Sequence, residues 1–161
     1  MSKLSEGMEA HKKKLQKQAE ERTARAASDK KAAKEFADAF TVSLRDTVAP
    51  VFQEFKTNLG HPCEIINGVN PHRVFKAITL IDRGVLTPIG NVEKTLRANV
   101  DIGHDKNIRF FEIHRLSDTV GIRHRAVRGH DTTAKTIKLT DLTRERLDVE
   151  LLDFYKAAFP V

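Results

Sequence analysis

Large apolar side chains are nearly absent from the first 35 residues and then recur at a helical spacing. The recurring residues are Phe36, Phe40, Leu44, Val48, Val51, Phe55 and Leu59. Steps of three and four residues place all of them on one face of a helix. Residues 8–35 are instead rich in Lys, Glu and Ala. The pattern predicts a long helix whose first part is charged and solvated and whose last part packs against a core.

The ends of the core helix are marked by residues that start and stop helices. Ser28 or Asp29 can accept hydrogen bonds from the free N–H groups of a first turn. Gly60, with Pro62 two residues later, is a typical stop. Pro50 lies inside the pattern and removes one backbone hydrogen bond. Because the apolar stripe keeps its phase across Pro50, we expect a kink or a short break there.

Residues 1–28, called the arm below, are low in complexity. The positions that a coiled coil needs to be apolar are taken by His11, Gln18 and Arg22. We therefore expect a charged arm that is flexible or a frayed helix, and that becomes helical when it meets a partner. The predicted organisation is this arm followed by a single α+β domain over residues 29–161.

Beyond the helix the apolar period changes towards two, which is typical of β-strands. A first strand begins at Cys63 and is expected to end at the turn signal Asn67-Gly68. Residues 73–81 combine a helix start with a β-rich composition, and we favour a strand. Further strands are predicted over residues 96–102, 108–116, 120–127 and 136–139. The first two of these four are expected to form a hairpin through the turn at residues 105–107.

The last predicted element is a helix that Thr143 caps. Its apolar stripe consists of Leu147, Leu151, Phe154 and Ala158. The short connections between strands argue against a parallel sheet. The predicted fold class is therefore α+β: a long N-terminal helix, an antiparallel meander of about five strands, and a C-terminal helix packed on one sheet face.

Composition restricts the setting of the protein. Cys63 is the only cysteine, which excludes an intrachain disulfide framework. No run approaches the ~20 apolar residues that a membrane span needs, and no apolar targeting stretch is visible at the N-terminus. We therefore expect a cytoplasmic protein with no membrane partner. Cys63 stands beside Ile65 at a strand start, so a buried thiol is expected there and not a nucleophile.

The net charge of +6 is distributed unevenly along the chain. Residues 1–35 and residues 104–140 each carry +4, whereas residues 36–103 are neutral and residues 141–161 carry −2. Two separate basic segments can therefore produce local positive fields.

The second basic segment contains an arginine cluster within twenty residues. Its members are Arg109, Arg115, Arg123, Arg125 and Arg128. On adjacent strands these residues can line a positive groove, because a guanidinium group binds phosphate through paired hydrogen bonds. The alternative is a sheet face whose arginines cover apolar surface and pair with Glu112, Asp118 and the acidic last helix.

The arm supplies the second candidate surface, with Lys12, Lys13 and Lys14 at its centre. A basic arm can neutralise phosphates and make binding sensitive to salt. Glutamates within the arm dilute this charge, and the alternative is a solvated tail or a weak self-association segment.

The leading hypothesis is a small non-enzymatic binding protein that engages a polyanionic partner, most testably nucleic acid, through its basic sheet face. Because aromatic residues do not interleave with the arginines, we expect contacts to the nucleic-acid backbone with little reading of sequence. The second hypothesis is a protein–protein adaptor or inhibitor module that binds an acidic protein surface.

A third hypothesis is a metal protein or enzyme that uses a histidine cluster of His114 and His124 with Glu112. No spacing typical of a nucleophile or of a phosphate loop supports it; the segment over residues 90–95 lacks the glycine that should precede Lys94. We therefore predict no catalytic residue, metal ligand or cofactor.

Self-association is a separate prediction. The apolar stripe of the long helix is larger than one small sheet is expected to cover. Two copies would then bury it together, which predicts a homodimer through the N-terminal helix.

Overall fold

The computed structural model describes residues 2–70, 72–84, 95–96 and 101–161. The chain separates into two compact units, Met1–Ala37 and Asp38–Val161. The first unit consists of helix, and the second holds the end of the same helix, the sheet and a C-terminal helix. The predicted α+β fold class is confirmed.

The first helix, α1, runs from Lys3 to Ser43 as one element, so the helix start predicted at Ser28 or Asp29 is wrong. Residues 3–35 are dominated by Ala, Lys, Glu and Gln, which are strong helix formers, and they contain no proline. Their side chains are exposed throughout. Local propensity, and not burial within the chain, accounts for this part of the helix.

The break predicted at Pro50 takes the form of a π-helical segment, Leu44–Val48, that joins α1 to α2 (Ala49–Leu59). The N–H of the first α2 residue donates to the carbonyl five residues back. Pro50 has no N–H, and its ring crowds the preceding turn, which favours this wider turn. Helix α2 ends at Gly60, whose φ of 67° is the left-handed conformation predicted for a stop.

In the part of the chain that the structure describes, six strands form one sheet in the order β3-β1-β2-β4-β5-β6. The strands are β1 (Cys63–Asn70), β2 (Arg73–Leu80), β3 (Thr95–Leu96), β4 (Phe110–Arg115), β5 (Val120–Arg125) and β6 (Thr133–Ile137). Five of them pair antiparallel in chain order, and only the two-residue β3 is parallel, to β1. The predicted meander is therefore present, with one short edge strand added.

Two details of the strand prediction are wrong. Strand β1 continues through Asn67-Gly68 to Asn70, because Gly68 makes room for the ring of Phe75 on the next strand, where a Cβ would overlap it. The hairpin expected between residues 96–102 and 108–116 does not form, since β4 pairs with β2 and β5. Residues 97–100 and the segment 90–94 lie outside the described residues. The strand favoured for residues 73–81 is confirmed by β2.

One sheet face packs against α2 and the C-terminal helix α3 (Arg144–Ala158). The ring of Phe111 on β4 lies 5.9 Å from that of Phe52 on α2 and 5.8 Å from that of Phe154 on α3. As predicted, Thr143 caps α3 by accepting a hydrogen bond from the Arg146 N–H at 3.2 Å. We call this side of the sheet the helix face.

The apolar stripe of the long helix is buried in part within the chain. Phe40, Val48, Val51 and Leu59 are buried as predicted, and so is Phe52, which the sequence pattern missed. The stripe therefore gives less reason to expect a dimer, although the dimer itself stays a prediction.

The opposite side of the sheet, called the outer face below, carries a second apolar cluster. Ile66, Phe75, Ala77 and Phe110 on the strands are buried together with Ile102 and Ile108 from the segment before β4. The segment 101–108 thus covers part of the outer face. Among the described residues, no helix combines the length and the apolar character that crossing a membrane requires.

Candidate functional site

The pairing of β4 with β5 divides the arginine cluster between the two sheet faces. Phe111 and His124 are opposite each other and lie on the helix face, so Arg123 and Arg125 lie on the outer face. Arg115 falls on the helix face with Phe111 by the same alternation. The five arginines are therefore not brought together in one groove.

Arg123 is held in a network of ion pairs on the outer face. Its Nη2 donates to Asp101 Oδ1 at 2.7 Å and to Glu112 Oε2 at 3.1 Å. Its guanidinium lies 5.3 Å from the ring centroid of Phe110. Burial by itself would raise the pKa of Asp101, but the hydrogen bond and charge of Arg123 outweigh it and lower that pKa. The charge of Arg123 is thus neutralised inside the protein.

Arg125 is buried, with 3% of its surface exposed, and links the segment before β4 to the turn after β5 through hydrogen bonds. Its guanidinium donates to four backbone carbonyl groups, those of Gly103, Asp105, Ile108 and His130, at 2.7–3.1 Å. Three of these carbonyls belong to the segment that covers the outer face. Four of the five guanidinium N–H groups of this buried side chain have internal acceptors, so Arg125 cannot present the paired donors that bind phosphate.

Arg109 lies just before β4 and contacts the C-terminal end of α3. It forms a two-fold hydrogen bond with Asp82 at 2.8 and 2.7 Å and donates to the Ala158 carbonyl at 2.7 Å. The ring of Phe159 lies 4.9 Å from its guanidinium carbon. The hydrogen bonds from Arg109 hold the pKa of Asp82 below its usual value. Arg109 therefore stabilises the fold at the chain's C-terminal helix.

The two remaining members of the cluster differ from these three. Arg128 is exposed in the turn after β5. Arg115 is half-buried at the end of β4 and interacts with the protein. Of the cluster, Arg128 alone offers a fully displayed guanidinium group among the described residues.

The two histidines of the third hypothesis, His114 and His124, do not lie close together in the structure. His114 lies on the outer face, where its Nδ1 is 3.2 Å from Glu112 Oε1. His124 lies on the helix face, stacked 6.2 Å from the ring of Phe111. Burial there lowers the pKa of His124. Because strand alternation puts the two imidazoles on opposite sides of a sheet, they cannot share a metal ion, and no three-residue ligand group occurs among the described residues.

Cys63 is buried at the start of β1, as expected. Burial raises the pKa of the Cys63 thiol, which disfavours the reactive thiolate. The thiol is thus suited to packing.

The lysines of the arm have surroundings opposite to those of the sheet arginines. Lys12, Lys13 and Lys14 are exposed on α1, and among the described residues none of them has a carboxylate within ion-pair distance. Residues 10–19 contain these three and Lys17 but no Asp or Glu. We call residues 10–19 the lysine segment; it is the densest unneutralised positive charge on the helix.

The sequence analysis missed the partners of the arginines. Asp82 and Asp101 lie 27 and 22 residues from Arg109 and Arg123 along the chain. No local sequence pattern marks these aspartates, and the backbone carbonyl groups that accept from Arg125 cannot be recognised from residue types.

Comparisons with protein-family models, with curated proteins and with solved structures each found no match for this chain.

Proposed function

We propose that this is a non-enzymatic binding protein whose helical arm engages a polyanionic partner, with nucleic acid as the most testable case. The observation that carries the proposal is the lysine segment, which holds four exposed lysines and contains no Asp or Glu over its ten residues. The sheet arginines give the proposal little support, since Arg109, Arg123 and Arg125 have internal partners.

The dimensions of the lysine segment suit a nucleic-acid backbone. Ten helical residues extend about 15 Å, and duplex DNA carries about nine phosphates over that length. An α-helix fits the major groove, and lysines distributed around it can reach phosphates on both sides. Lysine binds phosphate as a point charge, so we expect contacts that hold the backbone without reading bases.

Fluorescence anisotropy on the full-length chain tests this proposal, with labelled single- and double-stranded DNA and RNA at several salt concentrations. Neutralising four phosphates predicts a slope of log K against log salt of about −3.6 for duplex DNA. The variant Lys12→Gln, Lys13→Gln, Lys14→Gln, Lys17→Gln should lose most of this slope and bind at least tenfold more weakly.

The matched control changes Arg25, Lys30, Lys31 and Lys34 to Gln. It removes the same charge from the same helix, but from a stretch that contains Asp29 and directly precedes Glu35, whereas Glu9 and Glu20 lie outside the lysine segment. We expect a smaller loss of affinity from the control. Equal losses would mean that net charge alone drives binding, and no binding of the parent protein at low salt would end the nucleic-acid proposal.

An acidic protein surface is the second candidate partner. The observation that favours it is the mixed charge of the arm outside the lysine segment, where Glu6, Glu9, Glu20 and Glu21 are exposed beside basic residues. A protein partner can match such a pattern with both signs of charge, whereas a uniform polyanion repels the glutamates. Changing Glu20 and Glu21 to Gln should therefore strengthen nucleic-acid binding but weaken binding to a protein partner of this kind.

We also propose self-association through α1 and a cytoplasmic location. Leu4, Met8 and Leu15 are 73%, 52% and 52% exposed at helical spacing, and a second copy can cover them. A monomer in light scattering across the concentration range of the binding assay would contradict self-association. A reducing cytoplasm agrees with the single Cys63, and cell fractionation tests it.

A further inference from the structure

An open cleft lies in the second unit between helical segments and the sheet. Two adjoining cavities of about 230 and about 510 Å³ share Ala49, Asn67 and Lys76 in their walls. Helix α2 and the π-helical segment form one side, and β1 and β2 form the other. A π-helical turn is often found beside a functional site. The combined size is within the usual range for small-molecule sites.

The polar groups around this cleft are positive or neutral. Lys56 and Lys76 contribute to its walls with Arg45, and no Asp or Glu is among its described lining residues. Arg45 is partly neutralised, because its Nε donates to the neighbouring Asp46 at 2.7 Å. Gln53 and Asn67 add amide groups that can donate hydrogen bonds. This set of groups favours a negatively charged ligand.

Lys76 is the group that most needs a counter-charge. It is half-buried on β2, and its ammonium group donates to the Asn67 side-chain oxygen across the strand pair. Its neighbour on the other strand is Ile113, and no carboxylate of the described residues pairs with it. Burial lowers the pKa of Lys76, as expected for a cation that is partly removed from water. A bound anion would offset this cost.

The larger cavity also has an apolar wall. Leu44 from the π-helical segment and Val74 on β2 both line this cavity. A ligand with an apolar body can therefore cover these side chains while its charged head reaches the ammonium group. An inorganic ion would leave this wall unused.

We infer that the cleft binds a small organic anion, whose carboxylate or phosphate head pairs with Lys76 and whose apolar body lies on Leu44 and Val74. The inference is independent of the arm, because every residue of the cleft belongs to the second unit. It adds a small-molecule site to the proposed function.

The test uses two dyes of similar shape on the full-length chain. 1-Anilinonaphthalene-8-sulfonate carries a negative charge, and N-phenyl-1-naphthylamine is its neutral counterpart. Fluorescence titration should show tighter binding of the anionic dye to the parent protein. Lys76→Met keeps the length of the side chain but removes its charge. It should weaken binding of the anionic dye at least tenfold while changing the affinity for the neutral dye less than twofold.

Lys138→Met is the matched control, because Lys138 is exposed and lies outside the cleft. It should leave both dyes unchanged. The inference is overturned if Lys76→Met does not alter binding of the anionic dye, or if it weakens both dyes equally. Competition by hexanoate or by hexyl phosphate then identifies which head group the site prefers.

A second variant keeps the test decisive if Lys76→Met does not fold, as judged by circular dichroism. Asn67→Asp places a carboxylate beside Lys76 with almost no change in volume. The new charge should pair with the ammonium group and compete with an external anion. Binding of the anionic dye should therefore again be at least tenfold weaker. Unchanged binding in this variant would also overturn the inference.

Discussion

Arg123 and Arg125 on the outer face of the sheet and the lysines of α1 carry the same charge in opposite surroundings. The two arginines reach carboxylate and carbonyl oxygens within 2.7–3.1 Å, whereas the lysine segment has no acidic partner among the described residues. A basic residue on a small domain is thus not evidence of a binding surface until its internal partners are known. Here the comparison moves the expected polyanion contact from the sheet to the arm.

The physical reason lies in the two backbones. A sheet brings together segments that are far apart in the chain, so an arginine on it meets many acceptors. A lone helix offers a side chain only neighbours three or four residues away. Glu9, Glu20 and Glu21 stand at that spacing from lysines of the segment, but in the described part of the chain none of them forms an ion pair with these lysines, and the charge therefore remains directed to solvent.

The largest expected effect is on stability when a sheet arginine is removed. Arg125→Met should lower the free energy of unfolding by about 3 kcal/mol or more, because four carbonyl groups lose a charged donor and part of them stay buried. Urea denaturation measures the loss. Arg128→Met, an exposed neighbour, should behave like the parent protein; a loss below about 1 kcal/mol for Arg125→Met would show that the loops do not depend on it.

A smaller effect is expected at the pair of Arg109 and Asp82. Arg109→Met should cost about 2 kcal/mol, since it leaves a nearly buried carboxylate without its main partner. Asp82→Asn tests the same contact from the other side. In a double-mutant cycle the two changes should couple by at least ~1 kcal/mol, whereas strictly additive losses would contradict a direct interaction.

The pair of Arg109 and Asp82 should also make stability depend on pH, and this effect should be smaller than that of removing Arg109. The folded pKa of Asp82 is lowered, mainly by the hydrogen bonds of Arg109. Its contribution to stability is therefore complete above the unfolded pKa of about 3.9 and is lost as the pH falls through the folded value. Asp82→Asn should flatten the decline of stability below about pH 4. Asp118→Asn, in an exposed turn, should decline like the parent, and an identical decline in Asp82→Asn would contradict the prediction.

The smallest expected effect is on the salt dependence of nucleic-acid binding, which should differ between variants of the arm and variants of the sheet. Replacing one arm lysine, Lys13→Gln, should reduce the salt slope of nucleic-acid binding by about 0.9. Arg123→Gln should leave this slope unchanged, although it lowers stability. Anisotropy at four salt concentrations measures both variants, and a reduced slope in Arg123→Gln would return the binding surface to the sheet.

Much of the fold was predictable because its signals are local. The spacing of Phe40, Val48, Val51 and Leu59 gave their burial, and Thr143 marked the start of α3. Phe52 was missed because it stands beside the stripe and is buried as well. The long helix starts earlier than predicted because helix propensity alone extends it through residues that no core covers.

The candidate site was predictable only as a set of residues. Composition identified both basic segments, and the alternative in which the arginines pair with internal carboxylates named Glu112, which does contact Arg123. The assignment of His114 and His124 to opposite faces required the register, because a shift by one residue reverses which side each occupies. The cleft around Lys76 required the packing of α2 against β1 and β2.

By itself, the sequence determined the order and type of most helices and strands and how charge is divided along the chain, since periodicity, propensity and capping act over a few residues. Only the tertiary structure decided which charges are neutralised. Arg109 meets Asp82 and the Ala158 carbonyl across 27 and 49 residues. Such contacts depend on atoms that approach within about 3 Å, and distances of this kind are set by strand register and helix packing.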